Sequence, residues 1–361
     1  MNNVLKQHAE IVFQEEIEVL KAFDKKHHNF IPSNWTLSPQ SVVKYIIGGV
    51  VTGSTIMCKY IGNQRLIEIA VATLTTDRAL LLYGLPGTGK SLVSEHLSVA
   101  ISGDSTLMIQ GTSGTSEESI RYGWNYAKLL AEGPSFQALV QTPITRALQQ
   151  GKIARIEELT RMPSDIQDTL ITILSEKLLP IPELNTEIQG IKGFNIIATA
   201  NNKDRGIHEM SSALKRRFNT VILPLPENIE TEVEIVRSRV SKFAENMQLP
   251  LPQNISEKIH DIVIIFKELR DGVTVDGKMK VKTPSSTLST AEVISVINNG
   301  LALSVYFGSG DINPHDLAAG ITGCIIKDPN QDTPIWRAYL ETILKNRIGA
   351  TDLYKYSKEL L

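Results

Sequence analysis

Residues 84 to 91 carry the clearest chemistry in the chain. Gly84-Leu85-Pro86-Gly87-Thr88-Gly89-Lys90-Ser91 is a complete G-x-x-x-x-G-K-[ST] run, preceded by the apolar stretch ALLLY and leading, through Ser91-Leu92, into SLVSEHLSVA. The glycines let backbone N–H groups converge on phosphate oxygens, and a helix beginning at the lysine turns its positive N-terminal end toward the same charge. Lys90 supplies a point charge for the β and γ phosphates, and the Ser91 hydroxyl supplies a ligand for Mg²⁺. A Gly-rich turn without chemical meaning does not account for strand, loop and helix falling in the required order.

A phosphate site of this type needs an acid for the metal and a base for water, normally at the end of an adjacent strand. Ile153-Ala154-Arg155-Ile156-Glu157-Glu158 supplies both. By position Glu157 holds Mg²⁺, usually through water, and Glu158 polarises the attacking water. A further apolar run, FNIIATA, ends in Asn201-Asn202. An amide there can orient the water opposite the γ-phosphate, or it is a plain Asn turn. Leu214-Lys215-Arg216-Arg217-Phe218 reads as a helix just before the last strand and leads away from the loop. An arginine on it either reaches a neighbouring copy's pocket or satisfies the last carbonyls of its own helix.

These groups require a scaffold that ends several strands at one edge. The apolar runs Ala79–Tyr83, Thr106–Gln110, Ile153–Ile156, Phe194–Ala198 and Thr220–Leu223 alternate with helical stretches, the βαβ pattern of a parallel sheet. Before them, residues 1–58 read as a helical region, with the KKHH cluster (Lys25 to His28) as a solvated helix end. After Pro226 the pattern turns helical, with Asp276-Gly277 in VTVDGKMKVK marking a β-hairpin. The expected organisation is α/β: a nucleotide-binding domain over 59–226, a helical domain over 227–325 and a C-terminal helical extension over 326–361.

Composition excludes other classes. The 361 residues are 42% hydrophobic and 21% charged, with 37 Lys and Arg against 39 Asp and Glu, so no basic field announces nucleic acid or an anionic membrane. Cys58 and Cys324, the two cysteines, form no zinc or disulfide spacing. A polar N-terminus and no spanning apolar run give a cytoplasmic expectation with no membrane partner.

Together these residues resemble the AAA+ ATPases, and within them the MoxR-like branch related to McrB, midasin and dynein, over residues 60 to about 300. GLPGTGKS looks like the Walker A motif and ARIEELTRMPSDIQDTLITILSEK like Walker B with its following helix. ATANNKDRG looks like sensor 1, SALKRRF like the arginine-finger element, and the segment at Ile61-Gly62 like the edge of an adenine pocket. The resemblance implies a P-loop AAA+ parallel-sheet domain followed by a helical lid with a small hairpin insertion. It implies ATP and Mg²⁺ as cofactors, with Gly84, Pro86, Gly87, Thr88, Gly89, Lys90, Ser91, Leu92, Ile61 and Gly62 on the nucleotide and Ser91 and Glu157 on the metal. Glu158, Asn201 and Arg217 then act in catalysis, Arg216 being second choice as the finger. Two departures stand out: Glu157 replaces the usual Asp, and Ala291 stands where a sensor 2 arginine is sought, leaving that role unassigned.

Residues 111–147 are longer than a simple crossover needs, and 177–193 read as a hairpin; both resemble insertions that line the ring's surface and pore in that branch. Arg121-Tyr122-Gly123-Trp124-Asn125-Tyr126 either grips a partner chain there or packs against a core or neighbour. The resulting expectation is ATP hydrolysis between subunits of a ring, of six by analogy, that remodels a protein partner in a chaperone-like way, with a von Willebrand factor A domain protein as the typical client. The rivals are a nucleic-acid-linked motor, with GTP as a possible fuel, and a nucleotide-gated scaffold with little hydrolysis.

Overall fold

In the computed structural model the described residues are 7–201 and 208–361; Asn202 to Gly206 of the ATANNKDRG segment lie outside them. The chain forms two compact units, Met1–Gly84 with Gly89–Leu223, and Leu85–Thr88 with Pro224–Leu361.

The first unit is built on strands β1 (Ala79–Gly84), β2 (Met108–Gln110), β3 (Ile153–Glu157), β4 (Asn195–Asn201) and β5 (Phe218–Ile222). They pair in the order β5-β1-β4-β3-β2, and every pairing is parallel. Parallel strands are covered on both faces, which is why all five residues of β3 are buried. Along β1 the faces alternate: Leu80 and Leu82 join one apolar cluster with Leu97 and Ile197, while Ala79 and Leu81 join another with Ile156 and Ala198.

Helices α1 (Gln14–His27), α2 (Pro39–Ile47), α3 (Gln64–Leu74) and α4 (Lys90–Ser102) lie in this unit. Leu20 of α1 and Tyr45 of α2 share the first cluster with Leu97 of α4. The buried Asp24 carboxylate ties α1 to α2, accepting from Ser38 N–H at 2.8 Å and from the Ser38 and Ser41 hydroxyls at 2.6 Å each. Lys25, Lys26 and His27 form the last turn of α1, with His28 left-handed beyond it, the solvated helix end anticipated from KKHH.

One stretch departs from the helical reading. Gly49–Val51 and Ser54–Ile56 form an antiparallel hairpin turned at Thr52-Gly53. Both turn residues have positive φ, 49° and 86°, the requirement of a tight hairpin whose twist matches its strands.

The long 111–147 connection contains an antiparallel pair, Tyr122–Trp124 with Leu139–Gln141, enclosing the helix Tyr126–Glu132. The expected hairpin after Lys177 is present as Leu178–Ile181 with Thr186–Gln189. Side chains fasten the two insertions together: Arg121 donates to Pro180 O at 2.9 Å, and the Tyr122 hydroxyl donates to Glu183 at 2.7 Å.

The second unit is helical: α5 (Ile229–Met247), α6 (Ile255–Asp271), α7 (Thr290–Phe307), α8 (Pro314–Ile325), α9 (Pro329–Thr342) and α10 (Thr351–Glu359). Val236, Phe266, Val296, Trp336 and Leu353 share its core, so the C-terminal helices belong to it. The Asp276-Gly277 hairpin is reduced to its turn, with Thr274 N–H on Met279 O at 2.9 Å and one antiparallel bridge, Val273 to Lys280. Among the described residues no helix is long and apolar enough to cross a membrane.

Candidate nucleotide site

The glycine-rich loop leaves the C-terminal end of β1 and enters α4. Gly87 and Gly89 have φ of 79° and 82°, where a side chain on the backbone is strained, so the sequence places glycine at both. Gly89 is the residue from which α4 starts, and the first N–H groups of any helix have no partner within it. Lys90 is buried, and its Nζ donates to Gly84 O at 3.1 Å, which holds the ammonium back across the loop. Thr88 is buried too, its hydroxyl on Leu85 O at 3.0 Å, while Ser91 is exposed and Leu92 half-buried.

Strand register brings the polar candidates to the same edge. Asn201 pairs with Gly84, and Ala198 pairs with Ile156, so β4 carries its asparagine beside the start of the loop and β3 carries Glu157 just past that pairing. Glu157 is 5% exposed. It accepts from the Ser94 hydroxyl, from Arg155 Nη2 at 2.7 Å and from the Thr199 hydroxyl at 2.8 Å. Burial pushes its carboxyl up, but the Arg155 guanidinium and the hydroxyls of Ser94, Ser91 and Thr199 outweigh that and hold it below the usual glutamate value.

Glu158, the next residue, has a different environment. Its backbone is left-handed, φ 55° and ψ 48°, an uncommon conformation for a residue with a side chain and one that concentrates at functional sites. This turn throws its side chain off the strand, where it is 37% exposed and paired with Arg161 Nε at 2.8 Å. Its N–H donates to the Thr199 hydroxyl at 3.0 Å, so Thr199 braces both glutamates at once. Gly111 closes the other side: its N–H donates to Glu157 O at 2.7 Å, and a Cβ on it would lie 2.4 Å from Glu158 O. Arg155, Thr199 and Gly111 were not singled out from sequence. A cation two residues before Glu157, inside an otherwise apolar run, was the available signal.

The oxygen donors Ser91 and Glu157 fit Mg²⁺, which takes few protein oxygens and completes its shell with phosphate and water. Among the described residues no cluster of three or more His, Cys, Asp or Glu forms a self-sufficient metal cage.

The remaining candidates lie apart from this edge or say less. Arg216 and Arg217 precede β5, whose Phe218 pairs with Ala79 at the start of β1. That is the opposite end of the strand from Gly84, about 17 Å away at 3.3 Å per residue. Arg217 is held locally, Nε on Ser175 Oγ at 2.9 Å and Nη1 on Ala213 O at 2.8 Å. Arg216 is exposed. Ile61 is half-buried and Gly62 exposed, with Gly62 lying over the Tyr60 ring so closely that a Cβ would come within 2.7 Å of it. Ala291 is exposed in the first turn of α7.

Residues 79–218 match the family of AAA domains of the dynein-related subfamily, and residues 230–358 match the C-terminal domain of YehL-like AAA+ ATPases. The uncharacterized protein YehL of Escherichia coli K12 is 36% identical over 349 residues, covering 94% of this chain and 92% of that one. An uncharacterized protein of Staphylococcus aureus USA300 is 28% identical over 150 residues, 41% of this chain and 56% of its own. Among solved structures, NtrX from Brucella abortus in complex with ADP has a TM-score of 0.49 at 14% identity, over 82% of this chain and 64% of that one. A putative ATPase from Cytophaga hutchinsonii has a TM-score of 0.40 at 16% identity, over 93% and 98%. With both matched regions and a full-length relative on one side, and the loop, the paired glutamates and the five-stranded parallel sheet on the other, the chain belongs to the YehL-like AAA+ ATPases.

Proposed function

We propose that the protein is a MoxR-type AAA+ ATPase that hydrolyses ATP with Mg²⁺ in a ring of identical subunits, and that it uses the cycle to remodel a protein partner. The observation that carries hydrolysis is that Gly84 and Asn201 pair at the edge of the sheet to which β3 brings Glu157 and Glu158, with Glu157 joined to Ser94 of α4. In this reading the loop's N–H groups and Lys90 hold the phosphates, and Mg²⁺ neutralises phosphate charge beside Ser91 and Glu157. Glu158, carried off the strand by its left-handed turn, accepts the proton of the attacking water, and Asn201 orients that water.

Arg216 and Arg217 sit too far along β1 to serve their own loop, so the finger function falls to a neighbouring subunit. Arg216 is the better placed of the two, since the Arg217 guanidinium is spent on Ser175 and Ala213. The client is a protein, by analogy a von Willebrand factor A domain protein, and the coupled insertions at 122–141 and 178–189 are the surfaces that meet it. Near-balanced charge argues against a nucleic-acid track. Phosphate release from ATP and from GTP, each with and without nucleic acid, tests the reading. Turnover of ATP that DNA and RNA leave unchanged is expected; stimulation by either, or no turnover with any nucleotide, overturns it.

A further inference from the structure

Arg155 sits inside β3, 7% exposed, where the strand is otherwise apolar up to Glu157. Each of its three nitrogens has a partner in the chain. Nε reaches the Ser94 hydroxyl at 2.8 Å and Nη1 reaches Ser105 O at 3.1 Å. Nη2 reaches both Glu157 Oε1 at 2.7 Å and Ser91 O at 3.3 Å. One guanidinium thus joins the acid of β3 to the first turn of α4, where Ser91 follows Lys90. A buried carboxylate without a counter-charge is costly, and a site of this type ordinarily looks to a divalent cation for that charge. Here the chain carries the cation itself.

We propose that Arg155 is a positioning residue that acts as the built-in counter-ion of Glu157, organising the phosphate site so that it accepts nucleotide with only weak dependence on Mg²⁺. The proposal rests on the reading of the loop as an ATP site. The Glu157–Arg155 pair is neutral as a unit, so it adds no net repulsion against the phosphates when Mg²⁺ is absent. Removing the guanidinium leaves Glu157 as a bare negative charge beside the phosphates, tolerated only when Mg²⁺ screens it. Charge, more than shape, is what Arg155 supplies; a lysine retains it.

The test is the ratio of ATP dissociation constants in EDTA and in Mg²⁺, measured by calorimetry on the full chain. For the wild type the ratio should be small, and a large one overturns the proposal. Arg155→Met should raise it by roughly tenfold or more, since one uncompensated charge about 4 Å from another is worth about fivefold at the dielectric of water and about a thousandfold at an effective dielectric near 20. Arg155→Lys should leave it within about twofold, and Arg155→Met combined with Glu157→Gln should bring it back toward the wild type, since the charge needing compensation is gone. If Arg155→Met does not fold, Arg155→Gln, which keeps hydrogen-bond donors but not the charge, takes its place and should show the same rise, and an unchanged ratio in it overturns the proposal equally. A lysine variant with the full tenfold rise, a double variant that fails to return, or a folded methionine variant with an unchanged ratio each overturns the proposal. A wild-type protein that binds no ATP in either condition refutes the nucleotide reading itself.

Discussion

Two adjacent glutamates of the same chemical type have opposite settings. Glu157 is enclosed by three hydroxyls and a guanidinium, which suits a group that stays ionised and fixed. Glu158 is half-exposed on a left-handed turn, which suits a group that must meet water and exchange a proton. Glu158→Gln should therefore keep ATP binding and lose about 10²- to 10⁴-fold in turnover, because an amide preserves shape but takes no proton. Steady-state phosphate release beside calorimetric binding checks this, and a reversed result, with Glu157→Gln inactive and Glu158→Gln active, exchanges the two assignments. Lys90→Ala should weaken ATP binding by roughly 10- to 100-fold, the worth of a charge-assisted hydrogen bond, as read by calorimetry. The loop and both glutamates were legible in the sequence because local spacing fixes them. Arg155, Thr199 and Gly111 were not, because their roles exist only once β2, β3 and β4 lie side by side.

Between elements, a few buried polar groups set how pieces of the chain join, and they are the least legible part of the sequence. Asp24 looks like any acid in a charged helix, yet it caps the start of α2 from the end of α1. Burial pushes its carboxyl up, but hydrogen bonds from Ser38, Ser41 and Asn29 hold it below the ordinary aspartate value. A depressed folded value means the stabilisation is complete above the ordinary value of 3.8 and is lost as pH falls through the folded one. Asp24→Asn should cost about 1–3 kcal/mol near neutral pH and flatten the acid limb of stability, seen in urea midpoints taken from pH 7 down to acid. The aromatic cluster divides similarly: Tyr122 is buried edge-on to Trp124 with rings 5.9 Å apart, whereas Tyr126 is 62% exposed. Tyr122→Ala should lower unfolding free energy by roughly 3–5 kcal/mol, and Tyr126→Ala by under about 0.5 kcal/mol, in the same urea experiment. The hairpin at Gly49–Ile56 reads as part of a helical region because its apolar content outweighs the Thr-Gly turn signal, whereas the one after Lys177 is announced by its prolines and Asn185.

For the whole molecule, the decisive geometry is that the paired arginines and the glycine-rich loop occupy opposite ends of β1. Under the proposed reading a charge at one end of a strand reaches a phosphate site at the other end only in an adjacent copy, so turnover per subunit should rise with protein concentration and fall on dilution. Replacing Arg216 and Arg217 together by alanine should leave ATP binding nearly intact while lowering turnover by about three orders of magnitude, the lower range for a trans arginine. The most direct measurement mixes that double variant with Glu158→Gln protein, each inactive alone, and follows phosphate release while native mass measurement confirms mixed assemblies. Recovered turnover is expected, because some interfaces then join an intact Glu158 to an intact arginine pair. A mixture that stays inactive despite mixed assemblies, or a strictly monomeric chain that hydrolyses ATP at the full rate, would contradict the shared site.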